Sequence, residues 1–138
     1  MNEVLVGGRP RALPERTVRR VVRSVLAGER AAASVSVTFL GRDAMRQLNA
    51  RFKGHDRPTD VLAFTLRGPG RAPVGDIYLC PWIARREAVA RGRPVREELI
   101  RILVHGTLHV LGHDHPERSG RERSAMWRRQ EKYVEALA

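Results

Sequence analysis

A chain of 138 residues has the length of one ordinary domain and can bury a core without covalent staples. Its one cysteine, Cys80, excludes both an intrachain disulfide framework and a cysteine-rich zinc finger, so any metal ligands must come from its five histidines. With 26 basic residues against 15 acidic ones, the formal charge of +11 points away from acidic-surface functions and toward a polyanionic partner.

The N-terminus, MNEVLVGGRP, lacks the basic start and sustained apolar run of a secretory signal, and no later stretch approaches the roughly 20 apolar residues of a membrane span. A soluble cytoplasmic protein with no membrane partner is expected. No repeat, low-complexity tract or long linker divides residues 1–138, which read as a single domain. After a polar start, Val18, Val21, Val22, Val25 and Leu26 fall on one helical face, with Gly28 as a stop and Arg19, Arg20 and Arg23 opposite. Next, Ala33, Val35, Val37 and Phe39 alternate with Ser34, Ser36 and Thr38, the period of a half-buried strand. A short helix should follow, with Asp43 near its positive end and Met45, Leu48 and Phe52 on its inner face. Beyond the helix-breaking Pro58, residues 59–66 have strand character. A Gly/Pro-rich turn, Gly68 to Pro73, joins them to a second strand, Val74 to Cys80, as a hairpin with a longish loop.

Pro81 and Pro94 each stand where a first-turn proline opens a helix, predicting helices over 82–91 and 95–111. In the second, Leu99, Ile100, Ile102, Leu103, Val104, Leu108, Val110 and Leu111 occupy most of the circumference, so that helix should be buried on nearly all sides. A final helix, 119–136, carries Met126, Gln130, Tyr133, Val134 and Leu137 at helical spacing. The expected fold is mixed α/β: a small mixed sheet of three or four strands with several helices, one of them central and buried.

On that central helix the chain reads HGTLHVLGHDH. His105 and His109 project from one face a turn apart, the spacing that lets two ring nitrogens reach one zinc at about 2.1 Å. Were the helix to continue, His113 would lie about 12 Å along the axis from His105, too far for one ion to bridge. Gly112 can take a left-handed conformation and turn the chain back, which favours His115 as third ligand. Three histidines leave a coordination position for water, whose pKa zinc lowers to about 7, and this is the makeup of a catalytic site. The spacing is also that of the metzincin proteases, but their general base, a Glu immediately after the first His, is here Gly106.

At these residues the sequence resembles the YbeY family of bacterial zinc-dependent endoribonucleases. His105 to His115 matches the family's H-G-x-L-H-L-x-G-Y-D-H except at Val110 and His113. Phe52 to Phe64, FKGHDRPTDVLAF, is similar to a second family segment, and Gly75, Asp76 and Ile77 supply its G-D-I. The resemblance runs in matching order from about Ser34 to His115. It implies one Zn²⁺ per chain and a single-strand-specific endoribonuclease acting in rRNA maturation, including processing of the 16S rRNA 3′ end, and in ribosome quality control. The implied partners are RNA of the small ribosomal subunit, ribosomal proteins and assembly GTPases. The family's functional basic residue, commonly Arg, falls on Lys53, which keeps the charge but loses the planar fork that grips phosphate, and Arg57 stands four residues on as a second candidate. In this reading zinc activates water or polarises a phosphoryl oxygen, and Lys53 and Arg57 bind RNA and stabilise charge on the phosphate.

Asp114 has two open readings: a residue that orients a ligand or accepts a proton, or a turn cap. His55 and His113 read as loop histidines, Asp60 and Asp76 as structural acceptors at strand starts, Arg67 and Arg71 as loop cations, and Cys80 as a small strand hydrophobe. Aromatic content of 5% argues against an extended base-stacking platform. Two rivals stand beside the nuclease: a zinc hydrolase of another substrate, metzincin-like protease included, and a non-catalytic RNA-binding ribosome assembly factor.

Overall fold

The alternation of Val35, Val37 and Phe39 does form a strand, and every other residue along it is buried. In the computed structural model, which describes residues 2–113 and 125–138, the order of elements is β1 (Val4–Gly8), α1 (Glu15–Gly28), β2 (Ser34–Phe39), α2 (Arg42–Lys53), β3 (Val61–Leu66), β4 (Val74–Leu79), α3 (Pro81–Arg91), α4 (Val95–Val110) and α5 (Ala125–Leu137). The sheet order is β1-β2-β4-β3. β2 pairs in parallel with both β1 and β4, whereas β3 runs antiparallel to β4 as the expected hairpin. The fold is therefore mixed α/β, and β3 is an edge strand.

Successive strand residues face opposite sides, and this divides the core in two. On one side Val35, Val37, Phe39, Ile77 and Leu79 meet the apolar stripe of α1 and the length of α4. On the other, Leu62, Phe64 and Tyr78 pack with Met45, Leu48 and Cys80 beneath α2. Helix α4 packs against β3, β4, α1, α3 and α5. That encirclement explains why apolar residues occupy nearly its whole circumference.

The structure departs from the sequence reading in several places. The supposedly polar start contains β1, whose Val4 is 3% exposed and whose backbone extends the sheet beside β2. Phe52, expected on the inner face of α2, is 56% exposed. Pro81 is indeed at the first turn of α3, but Pro94 caps α4 one residue earlier. Of the final helix, residues 119–124 lie outside the described residues.

A polar cluster ties the end of α1 to α5. Glu29, its side chain 6% exposed, accepts hydrogen bonds from Tyr133 Oη (2.6 Å) and Arg129 Nη1 (2.9 Å) and lies 2.8 Å from His113 Nε2. Burial alone would raise this carboxyl, but the bonds from Tyr133, Arg129 and His113 prevail and hold it below its ordinary 4.5. Burial first, then the Glu29 carboxylate, push the Tyr133 hydroxyl up to about 12. A carboxyl held low contributes stability that is complete above its ordinary value and is lost as pH falls through its folded value. Glu29→Gln is expected to destabilise the fold by about 1.5–3 kcal/mol at neutral pH, the worth of hydrogen bonds to a charged group. The gap between variant and wild type should narrow as pH falls below the carboxyl's ordinary value and through its lower folded one, as urea denaturation at neutral and acid pH will show.

Candidate active site

Helix α4 ends one residue beyond His109. Gly112 adopts φ of 96°, its N–H donates to His109 O (2.9 Å), and the His113 N–H donates to Leu108 O (3.0 Å). This pair of bonds is a Schellman stop, and it needs a residue free to enter the left-handed region. Arg67, read from sequence as a loop cation, closes the same end by donating from Nη2 to Val110 O (2.9 Å). The chain thus leaves α4 with a sharp turn, as Gly112 suggested. Asp114 and His115, which follow, lie outside the described residues.

The rings of His105 and His109 meet edge to face, with centroids 4.6 Å apart, and their Nε2 atoms are 3.0 Å from each other. Two nitrogens sharing a tetrahedral zinc at about 2.05 Å stand about 3.3 Å apart, so a small adjustment of either ring suffices to place an ion between them. The other side of His105 is also held. Its Nδ1 lies 2.7 Å from Gln130 Oε1 on α5. The Gln130 amide nitrogen donates in turn to Glu131 Oε2 (3.1 Å), and Arg101 donates to both Glu131 oxygens (2.9 and 3.0 Å) and to Glu98 (2.8 Å). Burial would raise the Glu131 carboxyl, but Arg101 and Gln130 hold it below the usual range. Paired imidazoles, one with its second nitrogen engaged by an oxygen, make a donor set that fits a borderline cation such as Zn²⁺.

The two rings open onto a cavity of about 200 Å³ at the β3 edge, lined also by Lys53, Val61, Ala63 and Gly106. Lys53 comes from the last turn of α2, which Gly54 terminates at φ of 74°, and its Nζ stands 5.5 Å from the centre of the Phe64 ring. Gly106 is packed against the sheet: a Cβ there would stand 2.9 Å from Ile77 Cγ2 and 3.4 Å from Val61 Cγ2. The position that carries a glutamate base in metzincins is taken up here by close helix–sheet packing. Arg57 is exposed on the loop after α2 and does not line this cavity. His55 is exposed on the same loop, and His113 turns to Glu29. Asp76 accepts from Ser36 Oγ at 2.6 Å.

A larger cavity, about 370 Å³, lies on the other side of His105, lined by Asp60, Arg91, Arg93, Arg101, Trp127 and Gln130 among others. Burial raises the Asp60 carboxyl above its ordinary range, against the pull of the Val61 backbone N–H. Sequence reasoning set Gln130 at helical spacing with Met126, Tyr133, Val134 and Leu137 but missed its contact with His105. One polar residue on an otherwise apolar stripe was the available signal.

Comparison with known proteins bears on the family and the fold. A family model described as endoribonuclease YbeY matches residues 10–138. The endoribonuclease YbeY of Thermotoga petrophila is 35% identical over 120 residues, which cover 87% of this chain and 78% of the relative. That of Persephonella marina is 32% identical over 144 residues, covering 99% and 94%. The solution structure of TM1509 from Thermotoga maritima matches with a TM-score of 0.70 at 30% identity, across 97% of this chain and 88% of that one. The chain belongs to the endoribonuclease YbeY family.

Proposed function

We propose that this endoribonuclease cuts single-stranded RNA with one zinc ion per chain, held by His105, His109 and His115. Its proposed substrate is RNA of the small ribosomal subunit, in maturation of the 16S rRNA 3′ end and in ribosome quality control, in the cytoplasm and alongside ribosomal proteins and assembly GTPases. The observation that carries the metal reading is the 3.0 Å approach of two imidazole Nε2 atoms beside a cavity that also holds Lys53. When bound, zinc supplies Lewis acidity toward a phosphoryl oxygen and makes water a competent nucleophile near neutral pH.

The chain's own residues supply the rest. Lys53 brings a positive charge to the cavity, where it binds the scissile phosphate and stabilises charge that develops on it. Phe52, exposed next to Lys53 and flanked by the Arg51 guanidinium at 5.3 Å, offers a face on which one unpaired base can stack. Stacking of that kind requires a base released from a duplex, which supports a single-stranded substrate. Arg57 extends the basic surface along the loop, and Asp114 either orients His115 or accepts a proton. The formal charge of +11 supports a polyanionic partner. Among the described residues no helix is long and apolar enough to cross a membrane.

Cleavage of single-stranded RNA by the purified protein should stop on addition of a chelator and return with zinc. His109→Ala should lose at least about 100-fold in rate, well beyond the loss of one outer contact. Cleavage by His109→Ala at the wild-type rate would place the chemistry elsewhere. Tight RNA binding without cleavage would favour the assembly factor, and zinc-dependent proteolysis without RNA cleavage would favour the protease.

Lys53 and Phe52 separate by kinetics. Lys53→Ala should lower kcat by about 10²-fold, the scale of one lost oxyanion donor, whereas Lys53→Arg should keep most of it. Phe52→Ala should instead weaken RNA binding by about 1–3 kcal/mol with kcat nearly unchanged, as titration and single-turnover rates on one RNA will show.

A further inference from the structure

We infer that Gln130, held by Glu131 and Arg101, is a positioning residue that fixes the tautomer of His105 and presets its Nε2 lone pair for the metal. The inference rests on the proposed metal reading only in the purpose it gives to that lone pair. The tautomer itself follows from hydrogen-bond donors and acceptors within this chain.

The path to the ring starts at Arg101 and runs through Glu131 and Gln130. Arg101 is 7% exposed and always cationic, and it grips Glu131 through Nε and Nη2. Glu131 is therefore an ionised carboxylate, which can only accept. The Gln130 side-chain group 3.1 Å from it must be the amide NH₂, and this leaves the amide oxygen facing His105 Nδ1 at 2.7 Å. An amide oxygen only accepts, so Nδ1 carries the proton. In the neutral ring Nε2 is then unprotonated, and it is the atom that faces His109.

Gln130 is 2% exposed, so the alternative tautomer would leave two acceptors opposed in a buried site with no water to satisfy either. The order of charges along the path matters as much as the last bond. With Arg101 absent, Glu131 could take a proton and the amide could turn, and nothing would then select Nδ1–H over Nε2–H. Residues 95–110 and 125–137 thus divide the work. The first supplies ligands; the second supplies the oxygen that orients one of them.

The test uses the full-length protein without metal. Long-range ¹H–¹⁵N spectra at pH 8 should show His105 as the Nδ1–H tautomer, and in Gln130→Met, which fills similar volume without an acceptor, this signature should weaken or reverse. Zinc affinity, measured by competition with a chromophoric chelator, should fall about 10–100-fold in Gln130→Met and should be retained in Gln130→Glu, which keeps an accepting oxygen. An Nε2–H tautomer in the wild type would overturn the inference whether or not the protein cuts RNA. So would zinc affinity in Gln130→Met within twofold of wild type. If the Nδ1–H tautomer is found but zinc does not bind at all, the positioning stands and the metal reading fails. Should Gln130→Met not fold, the wild-type tautomer and the Gln130→Glu affinity still decide.

Discussion

Helix α4 buries eleven of its sixteen residues, so its axis and rotation are set by the sheet and three other helices rather than by solvent. Seven of the eleven are aliphatic: Leu99, Ile100, Ile102, Leu103, Val104, Leu108 and Val110. At about 1.5–3 kcal/mol each, their removal from water contributes roughly 10–20 kcal/mol before conformational entropy is set against it. Turning the helix by one residue would bring Glu97 or Arg96 into that core and carry His105 and His109 away from the β3 edge. Tight burial on the remaining faces is what gives two exposed-edge imidazoles a fixed place. Gly106 lets the helix approach β3 and β4 closely enough for the rings to sit at the cavity mouth.

The N-terminal half of α4 buries charge as well. Arg101 lies between Glu98, Glu97 and Glu131, and Glu98 is itself 2% exposed. Such a cluster is weak evidence for stability, because desolvation of its ions offsets much of their attraction. Its value lies in direction. A guanidinium has a planar fork of donors and cannot lose its proton, so every acceptor around it is assigned, and α5 is held in one register against α4. Packing by Met126 and Val134 brings the two helices together, but apolar contacts alone would tolerate small slips that ring nitrogens would not.

What could be read from the sequence was whatever depends on local period. The α1 stripe, the β2 alternation and the all-round apolarity of α4 are visible because each repeats within a few residues, and Gly112 is visible as a stop because its neighbours are helical. β1 was missed because Val4–Gly8 is short, ends in two glycines and owes its extension to pairing with β2, which no local pattern records. Phe52 was placed inward by the same periodicity that correctly placed Met45, but in the last turn of α2 its ring meets Phe64 edge to face and stays 56% exposed. The two helical histidines were legible from spacing alone. Their partner Gln130 was not, being 25 residues away and joined only by tertiary contact.

Charge balance around the rings bears on which bond such a site can break. Attack on a phosphodiester builds negative charge on a group that is already anionic, so carboxylates near the reaction centre oppose it while cations favour it. Among the described residues lining the cavity beside His105 and His109, Lys53 is charged and none is acidic. Two acids line the larger cavity on the far side of His105, and they are muted in different ways. Asp60 is driven toward its neutral form by burial, and Glu98 is neutralised by Arg101. A peptide bond, which begins neutral, makes no such demand, and the metzincin arrangement places a carboxylate beside its metal. Here that position is a glycine that packs on Ile77, and the field it leaves behind suits a phosphate more than an amide.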